Sequence, residues 1–401
     1  MVNFVLNLDR QKLVRDLEIL KPVSGSDLKR IFDFVRFTVI GKEDLNSADL
    51  FIYGTNGQNY TCVFHGPISI EGIEKGGEYS VLLDFEKLLK ICKSSNLAKI
   101  IIKEIDREER DSEGNIKRYS RYQIVTEGKS TISSLDVEDF PNEDLSDYEE
   151  IVSYSTKLFS DIWLKASIAK GEFDIKRTCI HFDGNFMTLD QSFASIVLVA
   201  EQLKPKIDCK FSINLETGVG DVLKKINGKV VISKSKSNNR VLLACPEDGV
   251  FISIIPIQSP SIPYKKVLDS FPFSGKCILK RESFASALSR AVAFVDKKST
   301  NAIKINIYEE SSLWYLKIST IEDMSSQMFE EIIPAIECNA PLTSSYNSLN
   351  LIKAVDATEN EKIVFSWRTE GIDKNDRTVL IKEENSDFSL NVIIPHMATR
   401  G

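Results

Sequence analysis

The stretch Leu88-Leu89-Lys90 places two apolar residues and a lysine at consecutive positions of a predicted helix, and this pattern occurs three times. An earlier helix with apolar residues spaced i and i+4 precedes each copy by about 65–75 residues. Such spacing indicates that similar pieces follow one another in the chain. The copies are Leu88-Leu89-Lys90, Val222-Leu223-Lys224 and Leu351-Ile352-Lys353; the earlier helices carry Leu13 and Leu17, Phe159 and Trp163, and Phe284 and Leu288.

Two linker-like segments separate these pieces. The first is the acidic stretch 138–144, and the second is 256–272, which contains Pro260 and Pro263. They predict three domains over residues 1–145, 146–272 and 273–401. Short runs rich in β-branched and aromatic residues outnumber the helices, so the expected fold class is α+β.

The predicted helices keep their basic residues away from their apolar stripes. Leu13, Leu17 and Leu20 share one stripe, so Lys12 and Arg15 point away from it. Solvated lysines are the ordinary explanation of such a pattern. A repeated basic exterior on a protein with net charge -7 favours a surface that holds a polyanion. The same separation is predicted for Lys90 and Lys93, for Lys224 and Lys225, and for Arg290.

No catalytic or metal-binding constellation stands out in the sequence. Among the three histidines, His181 has Cys179 two residues away, but two ligands are fewer than a zinc site needs. The stretch Gly218-Val219-Gly220 lacks the further glycine and the lysine of a phosphate-binding loop. We therefore predict a protein that is not an enzyme and requires no metal or cofactor.

Composition restricts the class of protein further. The 401 residues are 42% apolar and 27% charged, as expected of a globular protein with several domains. No apolar run is long enough to cross a membrane, and the start of the chain lacks the pattern of a secretory signal. Seven scattered cysteines argue against a disulfide framework. The expected location is the cytoplasm.

Four segments resemble one known family, the bacterial DNA polymerase III β subunit, or sliding clamp. Their order and spacing follow the family over most of the chain. The segments are VLLDFEKLLKIC at 81–92, GKSTISSL at 128–135 with DFPN at 139–142, PYKKVL at 263–268 with LKRESFASAL at 279–288, and NVIIP at 391–395.

The resemblance implies an architecture and a mode of action. Three repeated clamp domains would place helices along a central channel and antiparallel sheets outside, and two subunits would join head to tail into a ring, first domain to third. Such a homodimer encircles double-stranded DNA and tethers the replicative polymerase for processive synthesis without sequence specificity. Loose phosphate contacts would suffice. The predicted DNA-binding residues are Lys12, Arg15, Lys90, Lys93, Lys224, Lys225, Arg290 and Lys353.

The family also has an apolar pocket that receives short peptide motifs of DNA polymerases and the clamp loader. For the terminal apolar run, a buried edge strand is the ordinary alternative. The pocket residues implied here are Lys266, Val267, Asn347, Val392, Ile393, Ile394 and Pro395.

The chain departs from the family in three places. The stretch LDQSFA at 189–194 keeps only Asp190 of a segment that lies beside the family's pocket. Residues 396–401 extend past Pro395 and are expected either to fray or to fold over the pocket. The charged stretch 106–121 is longer than the family's loop and predicts a surface hairpin turning at 113–115.

These departures leave a second class of protein open. A clamp-like decoy or regulator would bind replisome proteins without encircling DNA. An enzyme on a mixed scaffold is a third class with little support, because acid, base and nucleophile groups do not cluster in the sequence.

Overall fold

The computed structural model describes residues 5–25, 29–43, 46–72, 74–110, 116–170, 178–190, 196–258, 263–269, 273–295, 301–321, 328–369, 377–384 and 388–397. Within them, the side chains of 106–110, 116–120, 133, 187–190, 267 and 384 lie outside the description.

Helices form at every position where the apolar spacing predicts one. Asp9, Asp84 and Asn347 each end a strand and accept a backbone N–H three residues ahead, which starts a helix directly. This shared strand-to-cap-to-helix step supports the interpretation of the chain as a series of similar pieces. The helices are α1 (Arg10–Leu20), α2 (Phe85–Ser94), α3 (Thr156–Ile168), α4 (Val219–Leu223), α5 (Tyr264–Asp269), α6 (Arg281–Val292) and α7 (Ser348–Asp356).

Strands make up most of the remaining described chain. They are β1 (Val5–Asp9), β2 (Phe34–Gly41), β3 (Ser47–Thr55), β4 (Asn59–Glu71), β5 (Glu78–Asp84), β6 (Lys99–Arg110), β7 (Ile116–Val125), β8 (Lys129–Ser133), β9 (Tyr148–Ser155), β10 (Cys179–Asp183), β11 (Phe186–Asp190), β12 (Ile196–Glu201), β13 (Lys210–Asn214), β14 (Lys229–Ser235), β15 (Val241–Cys245), β16 (Val250–Ile254), β17 (Gly275–Lys280), β18 (Ala302–Glu310), β19 (Leu313–Thr320), β20 (Glu330–Pro334), β21 (Glu337–Cys338), β22 (Leu342–Asn347), β23 (Lys362–Trp367), β24 (Val379–Glu384) and β25 (Ser389–Ile394).

The chain divides into two compact units. Unit 1 contains Met1–Ser160 and Glu216–Pro256, and unit 2 contains Asp161–Leu215 and Ile257–Gly401. Residues 146–272, predicted as the second domain, are therefore shared between the units. A sheet that continues from one predicted domain into the next accounts for this division, and the three-domain division stays a prediction.

Unit 1 is built on one sheet of twelve strands, with neighbours in the order β8-β7-β6-β1-β4-β16-β15-β14-β9 and β2, β3 and β5 attached beside β4. β4 pairs with β1 at one end and with β16 at the other, so it joins strands of the first and second predicted domains. β6 and β7 pair antiparallel out to Arg110 and Ile116, which confirms the strands of the predicted hairpin; its turn at 113–115 lies outside the described residues.

Unit 2 contains two sheets. Nine strands follow the order β13-β10-β11-β12-β25-β24-β23-β17-β21, and four follow β20-β19-β18-β22. Every strand pair in the described part of both units is antiparallel. The helices cover these sheets with their apolar faces, so the predicted α+β class with antiparallel sheets is confirmed.

Candidate functional site

The basic faces of α1 and α2 point out of the core of unit 1, as predicted. Leu13, Leu17 and Leu20 of α1 are fully buried, as are Leu88 and Cys92 of α2. The two helices pack against each other, so their opposite faces form one exposed surface. The predicted cations Lys12, Arg15, Lys90 and Lys93 lie on this surface and are exposed.

A buried pair fixes the orientation of α1. His65 Nδ1 on β4 lies 2.6 Å from Asp16 Oδ2, and both residues are almost completely buried. Asp16 therefore adds a polar contact to the buried side of α1, and Arg15, one residue earlier, points away from it. Lys12 lies four residues before Asp16 on the same side of the helix; it is exposed in the first turn, and its Nζ lies close to Gly66 of β4. This pair is not among the predicted site residues, since Asp16 and His65 are far apart in the chain and neither belongs to a known motif.

The third helix of this surface is short. α4 spans five residues, Lys224 caps it and Lys225 follows. Gly218 starts α4 with φ +76°, and a Cβ there would lie 1.9 Å from the backbone oxygen of Pro22. The glycine therefore permits close packing of α4 beneath the end of α1, and its role is structural rather than that of a phosphate loop.

Glu18 of α1 contacts one lysine of α2 and one lysine that follows α4. Lys93 of α2 forms an ion pair with Glu18, and Lys225 donates a hydrogen bond to the Glu18 backbone oxygen. The hydrogen bond from Lys93 lowers the pKa of Glu18 more than burial raises it, and the charges of Lys225 and Lys21 lower it further. Positive charge thus converges on this surface of unit 1.

The cations of unit 1 differ in their partners. Arg15 pairs with Asp248, and Lys224 pairs with Asp221 at 3.0 Å. Lys12 and Lys90 have no ion-pair partner among the residues that the structure describes. Exposed pairs of this kind are worth less than about 1 kcal/mol, so a phosphate can compete for the cation.

The two cations predicted in unit 2 are engaged within that unit. Arg290 of α6 holds Glu331 of β20 through two hydrogen bonds of 2.8 and 2.5 Å. Lys353 of α7 is half-buried, and its Nζ lies 3.4 Å from the backbone oxygen of Lys170. A third basic residue, Lys165 of α3, is buried between Glu383 and Glu359 at 3.4 and 3.1 Å. Sequence analysis did not identify Lys165.

The residues predicted for the partner pocket all belong to unit 2. Strand β25, which carries Val392, Ile393 and Ile394, lies between β12 and β24. The alternative interpretation of this run as an edge strand is therefore wrong: it is an interior strand, because both of its neighbours supply backbone hydrogen bonds.

Ile393 packs towards α5. It shares an apolar cluster with Val197, Val199, Leu380 and Tyr264, and Leu268 and Phe273 pack against that cluster. Asn185 Nδ2 donates a hydrogen bond of 2.8 Å to the Tyr264 hydroxyl, which fixes the ring. Val392 and Ile394 point to the opposite face because side chains alternate along a strand. Tyr264 belongs to the PYKKVL segment, but neither Tyr264 nor Asn185 was among the predicted pocket residues.

The remaining pocket residues have separate surroundings. Lys266 is exposed on α5, and the side chain of Val267 lies outside the described residues. Asn347 is buried and its Oδ1 accepts the Asn350 N–H at 3.1 Å, so it caps α7. Asp190 ends β11, but its side chain and residues 191–194 lie outside the described part of the chain.

The C-terminal extension begins against β22. Past the half-buried Pro395, His396 Nδ1 accepts the Arg377 backbone N–H at 3.2 Å. The Met397 N–H donates to the Ser345 oxygen at 2.8 Å, two residues before Asn347. Residues 396 and 397 are therefore held near the predicted pocket, and 398–401 lie outside the described residues.

Other features do not suggest a different kind of site. A polar cavity of about 290 Å³ in unit 1 is lined by acidic and amide side chains, but Asp147 already accepts hydrogen bonds from Ser235 and Ser237 there. Among the described residues, no three His, Cys, Asp or Glu side chains converge as metal ligands. No described helix is long and apolar enough to span a membrane.

Comparison with solved structures defines the class of this fold, which is that of the DNA polymerase sliding clamps. DNA polymerase III β chain from Streptococcus pneumoniae is similar with a TM-score of 0.77 at 14% identity, and all of both chains is covered. The sliding clamp from Bacillus subtilis gives 0.75 at 14% identity, covering 99% of this chain and 100% of that one. DNA polymerase III subunit β from Pseudomonas aeruginosa gives 0.75 at 15% identity over 98% of this chain and 100% of that one.

The structural similarity covers almost the whole chain, but the sequences are only 14–15% identical. No family model matches the chain, and no curated protein matches its sequence significantly. The chain therefore has the fold of the DNA polymerase III β clamps with a strongly divergent sequence.

Proposed function

We propose that this protein is a DNA sliding clamp: a non-catalytic, cytoplasmic homodimer that encircles duplex DNA and tethers a replicative polymerase. The observation that carries the proposal is the match of the full chain, end to end, with solved clamps at TM-scores of 0.75–0.77. The exposed cations on α1, α2 and the end of α4 support it, because a ring that slides needs phosphate contacts without a fixed register.

The chemistry of these cations suits sliding. Lys12 and Lys90 are exposed and available to phosphates, and Arg15, Lys93 and Lys224 need only exchange a weak carboxylate partner. Each contact is individually weak and screened by salt. Retention on DNA would then come from closure of the ring rather than from affinity. Arg290 and Lys353 are proposed as contacts of the same kind.

Ring closure needs two different edges on each subunit. β8 ends the large sheet of unit 1, and β20 ends the four-stranded sheet of unit 2. Beside β20, Phe294 is 43% exposed, Met328 65% and Ile332 48%, a concentration of apolar surface that favours burial by a partner. We propose that β20 of one subunit pairs with β8 of the other, head to tail, which closes a two-fold ring.

The partner pocket is proposed at the face where α5 meets β25. Of the predicted residues, Lys266 and Val267 belong to α5, and Ile393 supplies the apolar floor. Val392 and Ile394 face the other side of β25 and would support the strand, and Asn347 and Pro395 would border the site. Peptide motifs of a DNA polymerase and a clamp loader are the proposed ligands. The His396–Met397 segment beside Asn347 would form one wall of this pocket.

Light scattering after size exclusion tests the ring directly. The chain of 45.2 kDa should elute as a dimer of twice that mass. Ile332→Asp should produce a monomer because it places a charge in the proposed junction, whereas Leu97→Asp, an equally exposed apolar residue of unit 1, should leave the dimer intact. A wild-type monomer would contradict the ring and favour the decoy or regulator.

Retention on circular DNA tests the function itself. Loaded protein should remain on a closed circle and leave when the circle is linearised, because a ring can slide off a free end. Equal retention on the two forms would contradict encirclement.

A further inference from the structure

Two cysteines face each other at one end of the nine-stranded sheet. Cys277 on β17 and Cys338 on β21 are direct partners in the antiparallel register. The Asn339 N–H donates to the Lys276 oxygen at 3.1 Å, one residue outside the pair. This is the pattern of a non-hydrogen-bonded pair, in which opposite side chains come closest.

The two side chains lie opposite each other across the strand pair, close enough for each thiol to influence the pKa of the other. Cys338 Sγ donates a hydrogen bond of 3.2 Å to the Ala340 oxygen. In a non-hydrogen-bonded pair the two Cα atoms are about 4.5 Å apart, which lies within the range that a disulfide requires. Both thiols are free in the structure.

The members of the pair differ in access. Cys277 is fully buried, whereas Cys338 is half-buried on the short terminal strand. Burial raises the pKa of both thiols, so their reaction at neutral pH is slow and accelerates as the pH rises. Access decides the order of events: an external reagent reaches Cys338 first, and Cys277 is positioned to displace it.

We propose that Cys277 and Cys338 form a redox-active dithiol that low-molecular-weight disulfides oxidise to a cross-strand disulfide. The Cys338 thiolate attacks one sulfur of the external disulfide, forming a mixed disulfide and releasing one small thiolate. The Cys277 thiolate then attacks the Cys338 sulfur and releases the second small thiolate. Two electrons pass from the protein to the reagent, which is reduced to two thiols.

The crosslink restrains a specific part of unit 2. In the chain, β21 directly follows β20 and precedes β22. The Ile336 N–H donates to the Ile278 oxygen beside the cysteine pair. A disulfide would fasten the end of β20 to β17 and close a loop that contains α6 and β18 to β20. If β20 is the ring junction, oxidation would also slow ring opening; that consequence rests on the proposed function, whereas the crosslink does not.

The experiment exposes the reduced full-length protein to oxidised glutathione, traps remaining thiols with N-ethylmaleimide after denaturation, and maps peptides without reduction. A peptide pair joined through Cys277 and Cys338 is expected, with the intact mass lowered by two hydrogens. The melting temperature should rise by roughly 5 °C and return on reduction.

Variants separate the two steps. C277A should stop at a glutathione adduct on Cys338, and C338A should form neither adduct nor crosslink at this site. C209A is the matched control, because Cys209 is also half-buried, and it should form the crosslink normally. Absence of the Cys277–Cys338 peptide in the unmutated protein, or a peptide that joins Cys277 to a different cysteine there, would overturn the proposal whether or not the protein is a clamp.

Discussion

The helices of unit 1 and unit 2 use the same kind of residue differently. In unit 1, Lys12 and Lys90 extend from α1 and α2 into solvent, and Glu18 draws further lysines to the same surface. In unit 2, Lys165 of α3 is buried against Glu383, and Arg290 of α6 is held by Glu331. A lysine or arginine on a helix can therefore remain exposed to solvent in one unit and be held by a carboxylate in the other.

The energetic cost of desolvation explains the pairing of Lys165. The side chain of Arg290 is 55% exposed, so its contact with Glu331 is a surface ion pair, like that of Lys93 with Glu18. A buried ammonium group is tolerated only with a paired carboxylate and satisfied hydrogen bonds, and Glu383 meets this need while it also accepts the backbone N–H groups of Glu359 and Asn360. An exposed ammonium group keeps its water and gains little from a partner. Burial therefore decides which cations remain available to an external anion.

The largest expected effect concerns Lys165. Lys165→Met should lower the free energy of unfolding by about 3 kcal/mol, because Glu383 is left buried and uncompensated. The exposed counterpart Lys93→Met should cost less than about 1 kcal/mol. Urea unfolding measures both; Trp163 and Trp367 are fully buried in unit 2 and report its unfolding by fluorescence, and far-UV circular dichroism reports the whole chain.

A second variant identifies the cause of that loss. Lys165→Met combined with Glu383→Gln should recover most of the stability, because the amide oxygen still accepts backbone N–H groups and the uncompensated charge is gone. Equal costs for Lys165→Met and Lys93→Met would contradict the contrast between the units.

The next effect concerns DNA. Lys12→Gln with Lys90→Gln should weaken duplex binding roughly tenfold and reduce the slope of log K against log salt by about 2, one per lost phosphate contact. Fluorescence anisotropy over a salt series provides both values. Arg290→Gln is the comparison: this proposed contact should change the slope by less than about 1, because Arg290 must first give up its two hydrogen bonds to Glu331. A larger effect of Arg290→Gln would place the DNA surface elsewhere.

The smallest effect concerns Glu18. Lys93→Met should raise the pKa of Glu18 towards its ordinary value of 4.5, because the hydrogen bond from Lys93 is the main cause of its lowered pKa. Since the folded pKa lies below the unfolded one, the pair stabilises the protein above the unfolded pKa, and this contribution is lost as the pH falls through the folded value.

Carbon-detected NMR titration of the Glu18 carboxyl measures that shift. Lys225→Met should raise the pKa less, because Lys225 acts on the carboxylate through charge alone. An unchanged pKa in Lys93→Met would show that the two side chains do not pair in solution.

The periodicity of the sequence predicted much of the helix layer. The apolar stripe of Leu13, Leu17 and Leu20 is buried, and the exposed position of Arg15 follows from the helical repeat. Lys12 is exposed although the repeat places it between the buried Asp16 and Ile19. The short α4 was less predictable, since its length depends on Gly218 packing against Pro22. The terminal run was predicted to line a pocket, with a buried edge strand as the alternative; its place inside a sheet depends on β12, almost 200 residues earlier.

Local spacing by itself determined where the helices start, which side of each meets the core and where positive charge repeats, because these depend on neighbours within a few turns. Only the tertiary structure decided which polar side chains are buried and which partners they meet. The Lys165–Glu383 contact, the Asp16–His65 pair and the Cys277–Cys338 pair each join residues distant in the chain. Desolvation and pairing are properties of the folded surroundings, and no periodicity of the chain encodes them.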